Sequence, residues 1–100
     1  MRFSISVEEL NRLLQKENIN IIDLRDKYQY QMEHIPGAIS IPNRQLIMMP
    51  EEFLSKQKTY YLYCNYGVVS TKVCNALLDK GYRVINIDGG FSEYKSVNHN

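Results

Sequence analysis

Apolar residues follow a helical spacing in some segments of the chain and form short β-branched runs in others, and the two kinds of segment alternate. The helical spacing predicts a first helix over residues 7–16, where Ser6 and Glu9 match a capping box. Buried strands are predicted from the apolar runs at residues 19–24, 38–41, 60–63 and 83–88. This alternation predicts an α/β fold, with a small parallel sheet of about four or five strands and helices on both faces.

Further helical segments are predicted over residues 26–32, 43–54, 70–80 and 91–95. Asp26 is the candidate N-cap of the first, Pro50 interrupts the second so that it forms one or two short helices, and Gly81 ends the third. The polar residues from about 96 onward are expected to form a flexible tail. We find no repeat or linker, so residues 1–100 are expected to form a single domain.

Composition argues against several classes of function. The formal net charge is +1, so no strong attraction to nucleic acid or to a membrane surface is expected. No apolar stretch approaches the roughly 18 residues of a membrane span, and the apolar run at the start is too short for a signal peptide. With two cysteines the chain lacks the disulfide framework of a small secreted domain, and a soluble, reducing, cytoplasmic setting is expected.

The most distinctive chemistry lies around Cys64, which ends the apolar run 60–63. A short loop that contains Gly67 follows, and a helical pattern begins behind it. Glycine allows the loop to curl so that successive N–H groups point at one centre, and a helix N-terminus stabilises an anion. A thiol held there should ionise more easily than a free one, and the thiolate is the nucleophile. The segment therefore predicts a reactive cysteine held by backbone amides.

Polar residues also follow two other predicted strands. Asp23 and Arg25 lie at or just past the end of the first one, and Asp88 lies at the end of the last one. In parallel α/β sheets, ligands bind outside the carboxyl ends of the strands. We therefore expect these residues and Cys64 to converge on one active site.

Two ordered groups of residues run through the chain. The first group consists of Asp23-Leu-Arg25, Tyr30, His34-Ile-Pro-Gly-Ala38 and Ile41-Pro42. The second group consists of Tyr63-Cys64-Asn-Tyr-Gly67-Val-Val-Ser70, Ala76-Leu77, Gly81-Tyr82, Val84 and Gly89-Gly90. Together they resemble the two signatures of the rhodanese family, over almost the whole chain. The resemblance implies a rhodanese-like fold in a chain of single-domain size.

The rhodanese resemblance implies that Cys64 is the catalytic nucleophile, which attacks a sulfur donor, becomes a persulfide and passes the outer sulfur to cyanide or a thiol. The amides of the active-site loop would hold that sulfur, and the loop consists of Asn65, Tyr66, Gly67, Val68 and Val69. The implied partners are a small sulfur donor and a thiol or cyanide acceptor, with a protein donor or acceptor as a further option. No metal or organic cofactor is implied.

The loop departs from the family pattern because residues 65–69 carry no charge, whereas family members that use thiosulfate well often carry Arg or Lys there, notably at the last position. Charge-assisted contacts are roughly twice as strong as neutral ones, so we expect thiosulfate to be a weak donor. Related phosphatases and arsenate reductases carry an Arg where this chain has Ser70, so phosphoryl transfer is not expected.

For the supporting residues, the sequence leaves two interpretations open. Asp23 and Arg25 either form an ion pair that braces the loops or present Arg25 to an anionic donor. Arg44 is either a cation at the mouth of the site or a solvated surface charge. Ser70, directly after the loop, is a further candidate for the site.

Two other reactive side chains are interpreted as structural. His34 belongs to the His-Ile-Pro-Gly-Ala turn of the rhodanese pattern rather than acting as a general base. Cys74 lies inside the predicted helix 70–80 and is assigned to packing, with a resolving disulfide to Cys64 as the alternative. Sulfur transfer thus has two competitors: a non-catalytic interaction or regulatory domain on the same scaffold, and a redox thiol protein that uses both cysteines. Deep burial of Cys74 would argue against the second.

Overall fold

The structure of the protein is a computed structural model that describes residues 3–99. Its strands are β1 (Ser4–Ile5), β2 (Asn20–Asp23), β3 (Ala38–Ser40), β4 (Thr59–Tyr63) and β5 (Arg83–Ile87). They form one sheet in the order β1-β5-β4-β2-β3, and every neighbouring pair is parallel. The predicted parallel α/β fold is therefore confirmed.

Six helices join these strands within the described residues. They are α1 (Val7–Leu14), α2 (Lys27–Met32), α3 (Asn43–Met48), α4 (Pro50–Phe53), α5 (Val68–Asp79) and α6 (Gly90–Asn98). Ser6 and Glu9 form the predicted capping box of α1, and the Asp26 side chain caps α2. Pro50 begins a separate helix, so residues 43–54 form two short helices. None of the helices in the described part of the chain is long and apolar enough to cross a membrane.

The strand β1 and the start of α5 differ from the predictions because the local signal is weak. β1 was not predicted, since a strand of 2 residues shows no periodicity; it forms through parallel pairing with β5. α5 begins at Val68 instead of residue 70, because Gly67 takes a left-handed conformation (φ 95°) and ends the loop there without a side-chain cap.

The last helix is longer than predicted. α6 continues to Asn98 and so includes residues that were expected to belong to a flexible tail. The extension packs on α1, where the side-chain amides of Asn98 and Asn11 exchange hydrogen bonds of 2.8 and 3.3 Å.

Each face of the sheet packs against its own group of helices. On one face Leu62 lies in a buried cluster with Leu46 of α3 and Leu77 of α5. On the other face Tyr63 lies in a cluster with Leu10 of α1, and α6 packs against it. Full burial of one such side chain contributes about 1.5–3 kcal/mol, so the two cores hold the sheet firmly between its helical layers.

The carboxyl edge of the sheet brings the candidate residues together. Asp23, the last residue of β2, pairs in register with Tyr63, the last residue of β4, and Cys64 follows directly. The carbonyl of Cys64 accepts a hydrogen bond of 2.8 Å from the amide of Phe91, which follows β5. The ends of three strands therefore converge on one site, as the positions of the polar residues predicted.

Candidate active site

Cys64 lies immediately after β4 and is 6% exposed. The amides of Gly67 and Ser70 donate hydrogen bonds to its Sγ at 3.2 and 3.3 Å. The left-handed conformation of Gly67 turns the chain back over the sulfur, a conformation that a Cβ would strain. The thiol therefore lies against the first turn of α5, a helix of 12 residues.

The environment of Cys64 favours the thiolate. Burial raises the pKa of Cys64, but hydrogen bonds to the sulfur outweigh it, and the net shift of the pKa is downward. The Ser70 hydroxyl lowers the pKa when its hydrogen turns towards the sulfur, and the amides of Ser70, Gly67 and Tyr66 also donate to the sulfur. Each favours the charged form because it places a positive hydrogen next to the sulfur. Cys64 is thus ionised more readily than an ordinary thiol, and the ionised form is the nucleophile.

Two further backbone N–H groups beside Cys64 are available to donate hydrogen bonds to an atom bound to its sulfur. Val68 and Val69, which were expected to belong to the loop, form the first turn of α5 instead, where backbone N–H groups have no intrahelical acceptor. Neither amide donates to another described residue. A sulfur atom attached to Cys64 would lie near these donors and near the positive end of the helix dipole.

The start of α6 braces the cysteine from behind. The amides of Phe91 and Ser92 donate to the carbonyls of Cys64 and Asn65 at 2.8 and 2.9 Å. Gly90 lies so close that a Cβ placed on it would be 2.5 Å from the carbonyl oxygen of Cys64, and its φ is +63°. Both the space and the backbone conformation therefore require glycine at this position.

Asp23 and Arg25 form a buried ion pair beside the cysteine. Nη2 and Nε of Arg25 donate to Oδ2 and Oδ1 of Asp23 at 2.8 and 3.1 Å. The Tyr63 hydroxyl donates to the same Oδ2 at 2.6 Å, and Arg25 also donates to the carbonyl of Glu33 at 2.7 Å. The guanidinium lies 4.2 Å from the ring centroid of Phe91. These contacts agree with the interpretation of the pair as a brace between β2, β4 and α6.

Cys64 lines a cavity of about 370 Å³. The other wall residues are Leu24, Arg25, Asp26, Gln29, Asn43, Asn65, Tyr66, Val68 and Val69. Gln29 and Asn65 exchange amide hydrogen bonds at 3.3 and 3.4 Å and so join α2 to the active-site loop. Tyr66 is 74% exposed and Val68 is 65% exposed, so the outer edge of the cavity on the loop side is apolar.

The described wall offers no unpaired positive charge to a donor. Arg25 is its one cationic residue, and Asp23 neutralises it. Asp26 adds a carboxylate to the same wall. Arg44, the alternative mouth cation, is exposed on α3 and does not belong to the wall, so the interpretation as a surface charge agrees better with the structure.

His34 and Cys74 lie outside the cavity wall. The His34 ring stacks on Tyr30 with 3.8 Å between centroids, and its Nδ1 lies 2.8 Å from the Tyr30 carbonyl oxygen. Cys74 is 2% exposed, and burial, with a smaller effect from the nearby sulfur of Cys64, raises its pKa to about 12. Both cysteines are free. Burial and a high pKa argue against Cys74 as a resolving thiol.

No group of three or more His, Cys, Asp or Glu side chains within residues 3–99 is arranged to hold a metal ion.

A chain of hydrogen bonds that the sequence interpretation did not include runs from Cys64 to the end of β5. Sγ of Cys64 lies 3.4 Å from Oγ of Ser70, which lies 2.5 Å from Oδ1 of Asn86. Nδ2 of Asn86 in turn donates to Oδ1 of Asp88 at 3.1 Å. Asp88 thus reaches the cysteine through two other side chains. The available sequence signal was an amide residue between two isoleucines of a predicted strand, because a buried amide needs a hydrogen-bond partner.

Comparisons with known proteins agree with this geometry. The family model for the rhodanese-like domain matches residues 6–97. The thiosulfate sulfurtransferase GlpE of Pseudoalteromonas translucida (strain TAC 125) is 33% identical over 96 residues, which cover 93% of this chain and 89% of the relative. The tRNA uridine(34) hydroxylase of Photorhabdus laumondii is 29% identical over 96 residues, which cover 90% of this chain but 27% of that protein.

Solved structures show the same fold. A crystal structure of a Staphylococcus saprophyticus protein is 34% identical with a TM-score of 0.85, and the match covers 94% of this chain and 93% of that one. The rhodanese-like domain protein from Staphylococcus aureus is also 34% identical, with a TM-score of 0.82 and coverage of 94% and 91%. The family match extends over nearly the whole described chain, and the first signature, the cysteine loop and the Gly89-Gly90 turn meet at one site. The chain therefore belongs to the rhodanese-like domain family.

Proposed function

We propose that this protein is a sulfurtransferase in which Cys64 carries sulfane sulfur as a persulfide. The observation that supports the proposal most strongly is the position of Cys64. Cys64 lines an open cavity, its sulfur accepts two backbone N–H hydrogen bonds, and two further unpaired amides lie beside it. A reactive, reduced thiol of this kind fits the reducing, cytoplasmic setting expected from the composition.

The proposed reaction has two displacement steps. In the first, the Cys64 thiolate attacks the outer sulfur of a donor, a bond forms between the two sulfurs, and the donor's own bond to that sulfur breaks. The donor remnant leaves with the electron pair, and Cys64 becomes a persulfide. In the second step a thiolate or cyanide attacks the outer sulfur, and Cys64 leaves as a thiolate. The two steps balance without an external oxidant or reductant.

The charges of the cavity wall favour a donor of low net charge, such as an organic persulfide, over dianionic thiosulfate. A dianionic donor would find one paired guanidinium and the carboxylate of Asp26 in the wall. The backbone amides then provide the attraction with partial charges alone, and the bidentate contact and full positive charge that a free guanidinium would offer are missing. The proposed donor is a small sulfur compound, with a protein-bound persulfide as a further option, and thiosulfate is expected to be a weak donor.

Intact-mass spectrometry tests the proposal directly. The reduced protein is incubated with thiosulfate or with an inorganic polysulfide, and the mass is measured before and after addition of cyanide. We expect polysulfide to add the mass of one sulfur atom and cyanide to remove it. Cys64→Ser should gain no sulfur, whereas the matched variant Cys74→Ala should behave as the unchanged protein. Failure of both donors to modify the unchanged protein would contradict the proposal.

A non-catalytic interaction domain is the alternative that keeps a supporting observation, the exposed apolar edge at Tyr66 and Val68. Such a domain does not require an ionised thiol, so the mass experiment separates the two functions. The redox alternative loses support from the burial of Cys74.

A further inference from the structure

Hydrogen bonds link the side chains of Cys64, Ser70, Asn86 and Asp88, and chemistry decides which group donates in each bond. A carboxylate accepts hydrogen bonds and cannot donate them, so the Asn86 amide must turn its Nδ2 towards Asp88. Oδ1 of Asn86 then faces Ser70 as an acceptor, at 2.5 Å from the hydroxyl oxygen. Ser70 is completely buried and Asn86 is 4% exposed, so water does not compete for these groups.

The Ser70 hydroxyl has one hydrogen and more than one possible acceptor. Asn86 Oδ1 is its nearest acceptor, and the Cys64 sulfur lies at 3.4 Å. The carbonyl of Gly67, at 3.3 Å, is a third. That carbonyl already accepts hydrogen bonds from the amide and hydroxyl of Thr71 at 3.1 and 2.7 Å, so it is a poor competitor. The main competition for the hydrogen is between Asn86 and the thiolate.

We propose that Asn86, oriented by Asp88, is a positioning residue that draws the Ser70 hydroxyl hydrogen away from Cys64 and so limits how strongly the thiolate is stabilised. A thiolate that receives fewer hydrogen bonds is more basic and more nucleophilic. The backbone amides keep the thiol ionisable, and Asn86 keeps the resulting thiolate reactive. The functional meaning rests on the proposed role of Cys64 as a nucleophile, but the hydrogen-bond competition itself can be measured without any sulfur donor.

The variant Asn86→Leu removes the competing acceptor and fills the buried space with an apolar side chain of similar size. The Ser70 hydrogen then turns towards the thiolate, and the pKa of Cys64 should fall by about one unit, since a hydrogen bond to a charged group is worth roughly that much. The thiolate should also become less nucleophilic by about threefold, given a Brønsted coefficient of about 0.4–0.5.

The charged and titratable groups around Cys64 do not change in this variant. They are Arg25, Asp26 and Tyr66 in the cavity wall, Cys74 on α5, and Asp88, which is exposed and remains solvated. A shift of the Cys64 pKa can therefore be assigned to the hydroxyl and not to an added or removed charge.

The experiment measures the rate of Cys64 alkylation by iodoacetamide, an uncharged reagent, as a function of pH. We expect Asn86→Leu to lower the midpoint by about one unit and the limiting rate at high pH by about threefold. Asn75→Leu, on the exposed side of α5, is the matched control and should leave both unchanged. In a Ser70→Ala background, Asn86→Leu should shift neither value, because the hydroxyl through which Asn86 acts is gone.

An unchanged or raised midpoint in folded Asn86→Leu would overturn the inference, and so would a full shift that persists in the Ser70→Ala background. Circular dichroism checks the fold, and Asn86→Val, which suits a strand, carries the same expectation if the leucine variant does not fold. The outcome is independent of the mass experiment. Loss of sulfur loading with an intact pKa coupling would contradict the proposed function alone, and the reverse result would contradict the positioning role alone.

Discussion

Replacing Val69 by Arg tests whether missing charge limits the use of thiosulfate. Val69 is the second residue of α5, lies in the cavity wall and is 43% exposed. A guanidinium there would offer an anionic donor a positive charge that no carboxylate neutralises, unlike that of Arg25, which is paired with Asp23. Hydrogen bonds to charged groups contribute about 1.5–3 kcal/mol, and the exposure of this position favours the lower limit.

A gain of about 1.4 kcal/mol corresponds to a tenfold change, so kcat/KM for thiosulfate should rise about tenfold in Val69→Arg. The assay is the steady-state formation of thiocyanate from thiosulfate and cyanide. The gain should shrink in high salt, because the screening length falls from about 10 Å at 0.1 M to about 3 Å at 1 M ionic strength. A cation in the first turn of a helix opposes the dipole, so a loss of about 0.3–1 kcal/mol of stability is expected as well.

Val69→Gln is the matched control, because it adds a long polar side chain without charge. An equal gain with Gln, or a gain in Arg that salt does not reduce, would refute the electrostatic reasoning. An unchanged kcat/KM in Val69→Arg would show that charge at this position does not limit thiosulfate use.

Three further predictions concern the framework of the site. Gly90→Ala should lower the free energy of unfolding by more than about 2 kcal/mol and abolish sulfur loading. Its control, Gly37→Ala, should lower that free energy by about 1–2 kcal/mol, because the added Cβ meets nothing within 4 Å and only the backbone is strained. Urea unfolding compares the two variants. Tyr63→Phe removes a hydrogen bond to the buried Asp23 carboxylate and leaves the Ile35 backbone amide without an acceptor, so it should lower the free energy of unfolding by about 1–3 kcal/mol in the same assay. A neutral result would contradict the bracing role. Alkylation of Cys64 should have its midpoint at lower pH in the native protein than in the urea-unfolded chain, because the fold lowers the pKa of Cys64. Cys74 should react only after unfolding. Equal midpoints for Cys64 would show that the fold does not favour the thiolate.

The sequence was sufficient to predict the architecture because its signals are local. The alternation of helical and β-branched segments predicts the parallel sheet, and the caps at Ser6 and Asp26 predict where two helices begin. The order of the cysteine, the glycine loop and the helix likewise predicts the position of Cys64 at the sheet edge. Each of these features depends on residues that are close in the chain.

The remaining features depend on tertiary contacts. β1 exists because β5 offers a free edge, and the last turn of α6 exists because α1 packs beside it. A sequence shows that Asn86 is an unusual residue for a buried strand, but not that Ser70 lies opposite it. From the sequence, Arg25 could either pair with Asp23 or bind an anionic donor. The 2.8 Å contact between the two side chains shows that Asp23 neutralises the guanidinium.

The central claim, that Cys64 carries sulfur between two substrates, is tested most directly by a single-turnover transfer with isotopically heavy sulfane sulfur. The protein is loaded from labelled polysulfide, separated from excess donor, and mixed with a thiol acceptor while the mass of the Cys64 peptide is followed. We predict that the heavy sulfur leaves this peptide at the rate at which it appears in the acceptor. Label that never resides on Cys64, or that stays there in the presence of acceptor, would contradict the account.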